Sequence, residues 1–221
     1  MPSYGDMVDR IEDEIADTSG NLETQIQRAI KSAIAHYQRR RFYFNEKVTT
    51  FSTVAAQQWY SSSDLSDIPN IVEIDRMAIT IGSTNYPLNA RSQQWIEDMY
   101  VGTSDTGDPT DYAYYRQQIR LYPIPTAVRT ITISYVYQPS ALSASADSNV
   151  WTTDAEELIR QRAKAVLKVD VLNDDRAAAE AVARTAGRLP GLSALEGAAF
   201  EALVDETTRR VVTGRIRPGG F

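Results

Sequence analysis

Apolar residues near the start of the chain recur every three or four positions, which is the period of an α-helix. The first apolar stripe consists of Tyr4, Met7, Val8, Ile11 and Ile15. Ser3 precedes this stripe and is a good N-cap residue. A second stripe runs from Leu22 to Tyr37 and leads into Arg39-Arg40-Arg41, so we expect this helix to end near Phe42-Tyr43-Phe44. The turn Ser19-Gly20-Asn21 separates the two stripes and predicts a helical hairpin.

The middle of the chain alternates apolar and polar residues with a period of two, which indicates β-strands. We expect strands over 47–53, 59–60, 71–81, around 119–121 and over 130–137. Gly82-Ser83 predicts a hairpin turn into Tyr86-Pro87-Leu88. Residues 89–101 favour a helix with Trp95 and Met99 on its apolar face and Ile96 as a further candidate for that face, and 102–111 predict a loop.

Helical periodicity returns after a Ser/Ala-rich linker at 141–149. Thr153 and Glu156 have the spacing of a capping box, which predicts a helix to about Leu172. Its expected core stripe is Leu158, Ile159, Ala165, Val166 and Val169. The alanine-rich residues 176–186 continue as helix. Ser193 and Glu196 form a second capping box, for a helix to about Thr213.

This order of elements predicts an α+β protein. We expect an antiparallel helical bundle with an inserted β-rich region and an extended C-terminal tail. The N-terminal helices occupy 1–46, the β-rich insertion 47–140, the C-terminal helices 141–213 and the tail 214–221.

Composition excludes several classes of function. The 221 residues carry a formal net charge of −6, which disfavours a general nucleic-acid coat. The chain has no cysteine and one histidine, His36, so thiol chemistry and cysteine-based metal sites are excluded. The N-terminus predicts no signal peptide, and no apolar run approaches the ~20 residues of a membrane helix. We expect no cofactor and no enzymatic activity.

Two candidate chemical sites have ordinary explanations. His36 is expected to be a packed or surface histidine rather than a catalytic base. Asp105, Asp108 and Asp111 lie in a Gly/Pro-rich loop, where carboxylates suit Ca²⁺ but also form turns. Whether this loop binds a cation stays open.

Charge is unevenly distributed along the chain. In residues 1–20 acidic side chains far outnumber the basic one, Arg10, whereas 209–221 contain four arginines and no acid. The cluster Arg39-Arg40-Arg41 pairs within the chain or between subunits, or binds phosphate. The candidate subunit-interface residues are Arg39, Arg40, Arg41, Asp13, Glu14 and Asp17.

Four segments resemble the head-to-tail adaptor (connector) proteins of tailed bacteriophages. They are Ile30–Tyr37 with Arg40–Glu46, Gly107–Ala113 with Ile119–Pro125, Trp151–Thr152 with Ala155–Lys164, and Thr213–Pro218. The matches keep their order and span most of the chain.

The resemblance implies a structural virion protein that forms a ring, usually of about twelve copies, beneath the portal. Its partners would be the portal, a tail, nozzle or tail-completion protein, further copies of itself, and double-stranded DNA passing the lumen without sequence readout. It would reside in the virion neck or tail, and in the host cytoplasm during assembly, without membrane contact. The C-terminal segment would dock into the portal. The portal-binding candidates are Arg209, Arg210, Arg215, Ile216, Arg217, Pro218 and Phe221.

The β-rich region, roughly 47–137, is the candidate for tail contacts. Three alternatives stay open. The chain could be another neck or tail-completion protein. It could be a carboxylate-dependent cell-wall hydrolase, which needs two carboxyl groups about 5–10 Å apart. It could also be a nucleic-acid binder, which would bind nucleic acid with an affinity that falls as the salt concentration rises.

Overall fold

The computed structural model of the chain describes residues 2–15, 21–99, 105–171 and 194–213. It contains helices and β-sheets, so the predicted α+β class is confirmed. The chain divides into two compact units. One comprises Met1–Asn45 and Pro139–Phe221, here the helical unit, and the other comprises Glu46–Gln138, here the β unit.

In chain order the helices are α1 Tyr4–Ile15, α2 Glu23–Tyr37, α3 Gln93–Met99, α4 Val150–Thr153, α5 Glu156–Asp170 and α6 Ala194–Thr213. The strands are β1 Glu46–Ser52, β2 Trp59–Tyr60, β3 Ile71–Ile81, β4 Thr84–Pro87, β5 Asn89–Ala90, β6 Thr106–Gly107, β7 Asp111–Tyr115, β8 Gln118–Tyr122, β9 Ile124–Pro125 and β10 Thr130–Tyr137. None of the helices in the described part of the chain has the length and apolar character that crossing a bilayer requires.

The start of α1 is fixed by a reciprocal cap. The Asp6 backbone N–H donates to Ser3 Oγ at 3.1 Å, and the Ser3 N–H donates to Asp6 Oδ2 at 2.7 Å. These two bonds confirm Ser3 as the N-cap residue. The bond from the Ser3 N–H, together with a hydrogen bond from the Ser3 side chain, holds the pKa of the Asp6 carboxyl below its ordinary value.

One apolar core holds the helical unit together. It is formed by the inner faces of α1, α2, α5 and α6, with Trp151 of α4 fully buried among them. Its members include Tyr4, Met7, Val8, Ile11, Ile26, Ala29, Ile30, Ala33, Tyr37, Phe42, Leu158, Ile159, Ala163, Leu167 and Phe200. Burial of apolar side chains stabilises such a core by roughly 1.5–3 kcal/mol for each large residue.

Helix α2 ends at Tyr37, before the arginine cluster that the apolar stripe was expected to reach. The reason is a local turn built by the buried side chain of Asn45. Its Oδ1 accepts from the Phe42 N–H at 2.8 Å, and its Nδ2 donates to the Arg40 carbonyl at 2.7 Å. These bonds compete with helical pairing over 40–45.

The second half of the helical unit corrects two expectations. The capping box lies at Asn149 and Thr152, at the head of α4, and not at Thr153 and Glu156; α5 follows Ala155, which makes no side-chain cap. The expected α5 core stripe is only partly right. Leu158 and Ile159 are buried, but Ala165 and Val166 are half-buried, and Ala163 and Leu167 occupy the core instead. The side chain of Val169 and the residues 172–193, with the alanine-rich helix expected there, lie outside the described residues.

The β unit contains two four-stranded sheets with a common core. Sheet A has the order β1-β10-β3-β4 with every pair antiparallel, and sheet B has the order β2-β8-β7-β5. Strands β6 and β9 form a separate parallel pair. Phe51, Met77 and Ile133 of sheet A meet Tyr60 and Ile119 of sheet B in one buried cluster.

The sequence patterns missed strand β7 of the β unit and misplaced the start and apolar face of its helix. Asp111–Tyr115 forms a strand, because it pairs with Gln118–Tyr122 across a two-residue turn. The helix expected over 89–101 begins only at Gln93, after the short strand β5. Ile96 is its buried residue, whereas Met99 is 45% exposed.

Candidate functional site at the C-terminal helix

Helix α6 is the last described element and carries two of the candidate portal-binding residues. It packs against α5 and against the turn Tyr43–Asn45, which follows the arginine cluster. We call this turn and the side chains around it the α6 seat. In the seat, the turn that follows the Arg39-Arg40-Arg41 cluster contacts the helix that carries Arg209 and Arg210.

A buried carboxylate fixes the first part of α6. Glu196 is 0% exposed, and its Oε1 accepts a hydrogen bond from the Tyr37 hydroxyl at 2.6 Å. The Arg162 guanidinium of α5 lies 3.6 Å from the same oxygen. Burial and this bond to a carboxylate raise the pKa of Tyr37 far above its ordinary value, so the hydroxyl stays a donor. One carboxylate therefore ties α6 to both α2 and α5.

Aromatic side chains form the floor of the seat. Phe42 stacks on Phe44 at a centroid distance of 5.1 Å and meets Trp151 and Phe200 edge to face at 6.4 and 6.1 Å. The Arg40 guanidinium lies 5.2 Å from the centre of the Phe200 ring. Aromatic pairs in these orientations add about 0.5–1.5 kcal/mol beyond the area they bury.

The later part of α6 is held by contacts to Tyr43. The Tyr43 N–H donates to Thr207 Oγ1 at 3.0 Å, and its hydroxyl donates to Asp154 Oδ1 at 2.7 Å. Arg210 lies with its guanidinium carbon 3.9 Å from the centre of the Tyr43 ring, and its Nε donates to Glu206 at 2.7 Å. Partial burial, followed by the bond to Asp154, raises the pKa of Tyr43 to about 12.

The candidate portal-binding residues therefore differ in their surroundings. Arg210 packs on the α6 seat. The side chain of Arg209 is 74% exposed and lies 3.4 Å from Glu206. The other five candidates, Arg215, Ile216, Arg217, Pro218 and Phe221, lie outside the described residues.

The candidate subunit-interface residues lie on two elements. Asp13 is exposed on α1, and Arg39, Arg40 and Arg41 are exposed beyond the end of α2. Glu14 already pairs within the chain, with Arg160 and with Lys164 of α5, the latter at 2.5 Å. Asp17 lies outside the described residues.

His36 is exposed beside the arginine cluster. Its ring packs edge to face on Tyr37 at 4.7 Å. Partial burial lowers its pKa below the ordinary value, and the nearby charges of Arg162 and Arg40 lower it further. At neutral pH the ring is therefore uncharged.

The three loop aspartates each have a partner inside the β unit. Asp105 accepts from the Tyr122 hydroxyl at 2.7 Å, Asp108 pairs with Arg129 at 2.9 Å, and Asp111 pairs with Arg91 at 2.8 Å. Among the described residues, no group of three or more ligating side chains could hold a metal ion. These carboxylates make structural contacts within the β unit: Asp105 bonds to strand β8, and Asp108 and Asp111 pair with arginines that lie next to strands β10 and β5.

Sequence patterns did not predict the contacts that build the α6 seat. Glu196 was expected to belong to a capping box whose Ser193 lies outside the described residues. Thr207 and Asn45 have no motif of their own. The available signal was the run Phe42-Tyr43-Phe44, because three aromatics after an amphipathic helix require a buried partner surface.

Residues 2–218 of the chain match a protein family described as SU10 adaptor protein. The match covers both the helical unit and the β unit. No curated protein matches the chain.

Proposed function

Because the chain belongs to the SU10 adaptor protein family, a family of phage head-to-tail adaptors, we propose that it forms a ring beneath the portal and links the portal to the tail. The family is one of structural virion proteins rather than enzymes, and its place is the neck of the virion. The family match over nearly the whole chain is the observation that carries the proposal.

The proposed partners are the portal, a tail, nozzle or tail-completion protein, and further copies of this chain. A head-to-tail ring of about twelve copies uses two different faces of each subunit. The lumen would pass double-stranded DNA and help to retain it after packaging. Assembly would take place in the host cytoplasm.

The α6 seat supports portal docking by the extended tail, residues 214–221. The aromatic floor and the contacts of Glu196, Thr207 and Arg210 fix α6 on the helical unit up to the last turns before this segment. A fixed helix presents the following chain from a defined point, which lowers the entropy lost on binding. Docking then uses Arg209, Arg210, Arg215, Ile216, Arg217, Pro218 and Phe221.

Truncation tests the docking segment. A chain that ends at Thr213 retains α6 and its seat but lacks Arg215, Arg217 and Phe221. We expect its affinity for the isolated portal ring to fall at least about tenfold, or 1.4 kcal/mol. Biolayer interferometry at two salt concentrations measures this, with unchanged circular dichroism as the control for folding. Equal affinity of the two chains would contradict docking by this segment.

Opposite charges on α1 and beyond α2 support the proposed contact between subunits. The candidates are Asp13, Glu14 and Asp17 of one copy and Arg39, Arg40 and Arg41 of the next. Asp13 and Arg39 are the most informative residues to mutate, because both are exposed, whereas Glu14 already forms an ion pair with Lys164 of α5.

Charge reversal tests this contact. We expect Asp13→Lys and Arg39→Glu each to reduce ring formation on the portal, because each places like charges together. The double variant should recover part of the loss. Lys31→Glu is the matched control, since Lys31 is exposed on α2 but outside the proposed contact. Mass photometry counts the rings. An equal loss from Lys31→Glu would show a general charge effect and refute the pairing.

A further inference from the structure

The two four-stranded sheets of the β unit have four edge strands, and three of them are blunted. Strands β2 and β5 of sheet B are two residues long. Strand β4 of sheet A has four residues and ends in Pro87, which cannot donate a hydrogen bond. Short edge strands and edge prolines are devices that prevent unwanted strand pairing.

Strand β1, the other edge of sheet A, lacks these protections. Its seven residues pair one to one with β10 from Glu46 to Ser52, with no bulge and no proline. In the described residues no strand lies on its other side. A long regular edge of this kind is a template for an additional strand.

The hydrogen bonds between β1 and β10 show which backbone N–H and C=O groups of β1 face β10. The Thr53 N–H donates to the Arg129 carbonyl at 2.8 Å, toward β10. Because groups alternate along a strand, those of Phe51 and Thr49 also face β10. The N–H and C=O groups of Val48, Thr50 and Ser52 therefore point away from the sheet.

The side chains along this edge suit pairing with an uncharged segment. Val48 is 68% exposed, and Thr50 and Ser52 are exposed and neutral. A lysine commonly guards an edge strand. Lys47 does not do so here, because its ammonium group binds Asp67 at 2.5 Å and lies 5.5 Å from the centre of the Tyr137 ring.

We propose that β1 is a strand-addition site, at which an extended segment of a partner protein pairs with the outer edge of sheet A. Backbone hydrogen bonds to Val48, Thr50 and Ser52 supply the affinity, and an apolar or β-branched residue of the partner covers Val48. The partner segment is extended, uncharged at the positions beside Val48 and Thr50, and free of proline where it faces β1.

This inference rests on the proposed role of the β-rich region in tail contacts, but its test uses no virion partner. Failure here therefore leaves the portal-binding experiment unaffected. The probe is a capped, fluorescein-labelled peptide with the sequence of β10, Thr130–Tyr137. The peptide sequence contains no charged residue, and it already pairs with β1 on the inner side.

Amide hydrogen exchange of the full chain reports where the peptide binds. In the free chain we expect fast exchange at Val48, Thr50 and Ser52 and slow exchange at Thr49 and Phe51. Saturating peptide should slow the three outward amides at least about tenfold, while the inward amides stay as they are. Fluorescence anisotropy gives the affinity.

Two variants and a control complete the test. Thr50→Pro removes the central outward donor, and Val48→Lys adds a charge at the edge without changing the backbone; each should weaken peptide binding at least about tenfold. Asn85→Pro makes the same kind of change on β4 and should leave binding unchanged. Native-like spectra of each variant exclude misfolding.

Three results would overturn the proposal. One is equal peptide binding by all variants. Another is peptide-induced protection of β4 instead of β1. The third is slow exchange at Val48, Thr50 and Ser52 in the peptide-free chain that disappears on dilution, because a second copy would then cover the edge.

Discussion

In the α6 seat, a single buried side chain contacts more than one neighbouring helix. Glu196 is the clearest case, because one buried carboxylate serves Tyr37 of α2 and Arg162 of α5. If a substitution removes a buried acceptor, its former donors are left without a partner in a site that water reaches poorly. The position of α6 therefore depends on this side chain.

Replacement of Glu196 tests this dependence. We expect Glu196→Ala to lower the free energy of unfolding by about 1–3 kcal/mol, since the Tyr37 hydroxyl loses its acceptor. Tyr37→Phe should cost less, and the double variant should cost less than the sum of the two. Urea denaturation measures all three. Asp205→Asn, an exposed change on the same helix, is the control; a loss as large as that of Glu196→Ala would contradict the role of the buried carboxylate.

At the scale of elements, the Ser/Ala-rich segment 141–149 of the helical unit is an ordered cap and not a loose linker. Asp147 Oδ2 accepts from the Ser143 and Ala144 N–H groups at 2.7 and 2.8 Å and from Ser143 Oγ at 3.1 Å. The same segment accepts bonds from the first turn of α1, from Tyr4 N–H and Gly5 N–H. Helix α1 is thus attached at its beginning to the chain that enters α4.

The pH dependence of this cap follows from Asp147. Its backbone hydrogen bonds hold the pKa of the carboxyl below the ordinary 3.8. A lowered folded-state pKa means that the stabilisation is complete above the unfolded pKa and is lost as pH falls through the folded one. We therefore expect Asp147→Asn to lower Tm at neutral pH, and the difference from the parent chain to shrink below about pH 4.

Calorimetry across this pH range measures the Asp147 effect. Asp9→Asn on α1 is the matched control and should change Tm little at any pH, as exposed substitutions usually do. A difference for Asp147→Asn that persists undiminished in acid would show that the lost stability does not come from the ionised carboxylate.

The sequence predicted strongly periodic elements well, because one buried face determines them. The strand Ile71–Ile81 and the stripe of α1 are such cases. It failed where long-range pairing decided the outcome. Strand β7 forms only because β8 returns beside it. The turn between them places Arg116 and Gln117 at positive φ, a conformation that these residue types do not predict.

The candidate site was predictable only in outline, for the same reason. Clusters such as Arg39-Arg40-Arg41 are visible in the sequence as charge. The bonds from Tyr43 to Thr207 and Asp154 join residues more than a hundred positions apart, and only the fold brings them together.

At the scale of the whole molecule, the β unit is an insertion with neighbouring ends. Glu46 at its start is paired with Val136 near its end, so the chain leaves and re-enters the helical unit through adjacent strands. This arrangement allows the two units to serve different partners. The proposed function uses it in this way, with portal and subunit contacts on the helical unit and tail contacts on the β unit.

The most direct test of the proposed ring is the native mass of the complex formed between the full-length chain and the portal ring from the same genome. We predict one complex with a fixed number of added chains, about twelve, and no series of partly filled species at saturation. A portal that stays bare, or that takes up chains in a broad distribution without a preferred number, would contradict the head-to-tail adaptor ring.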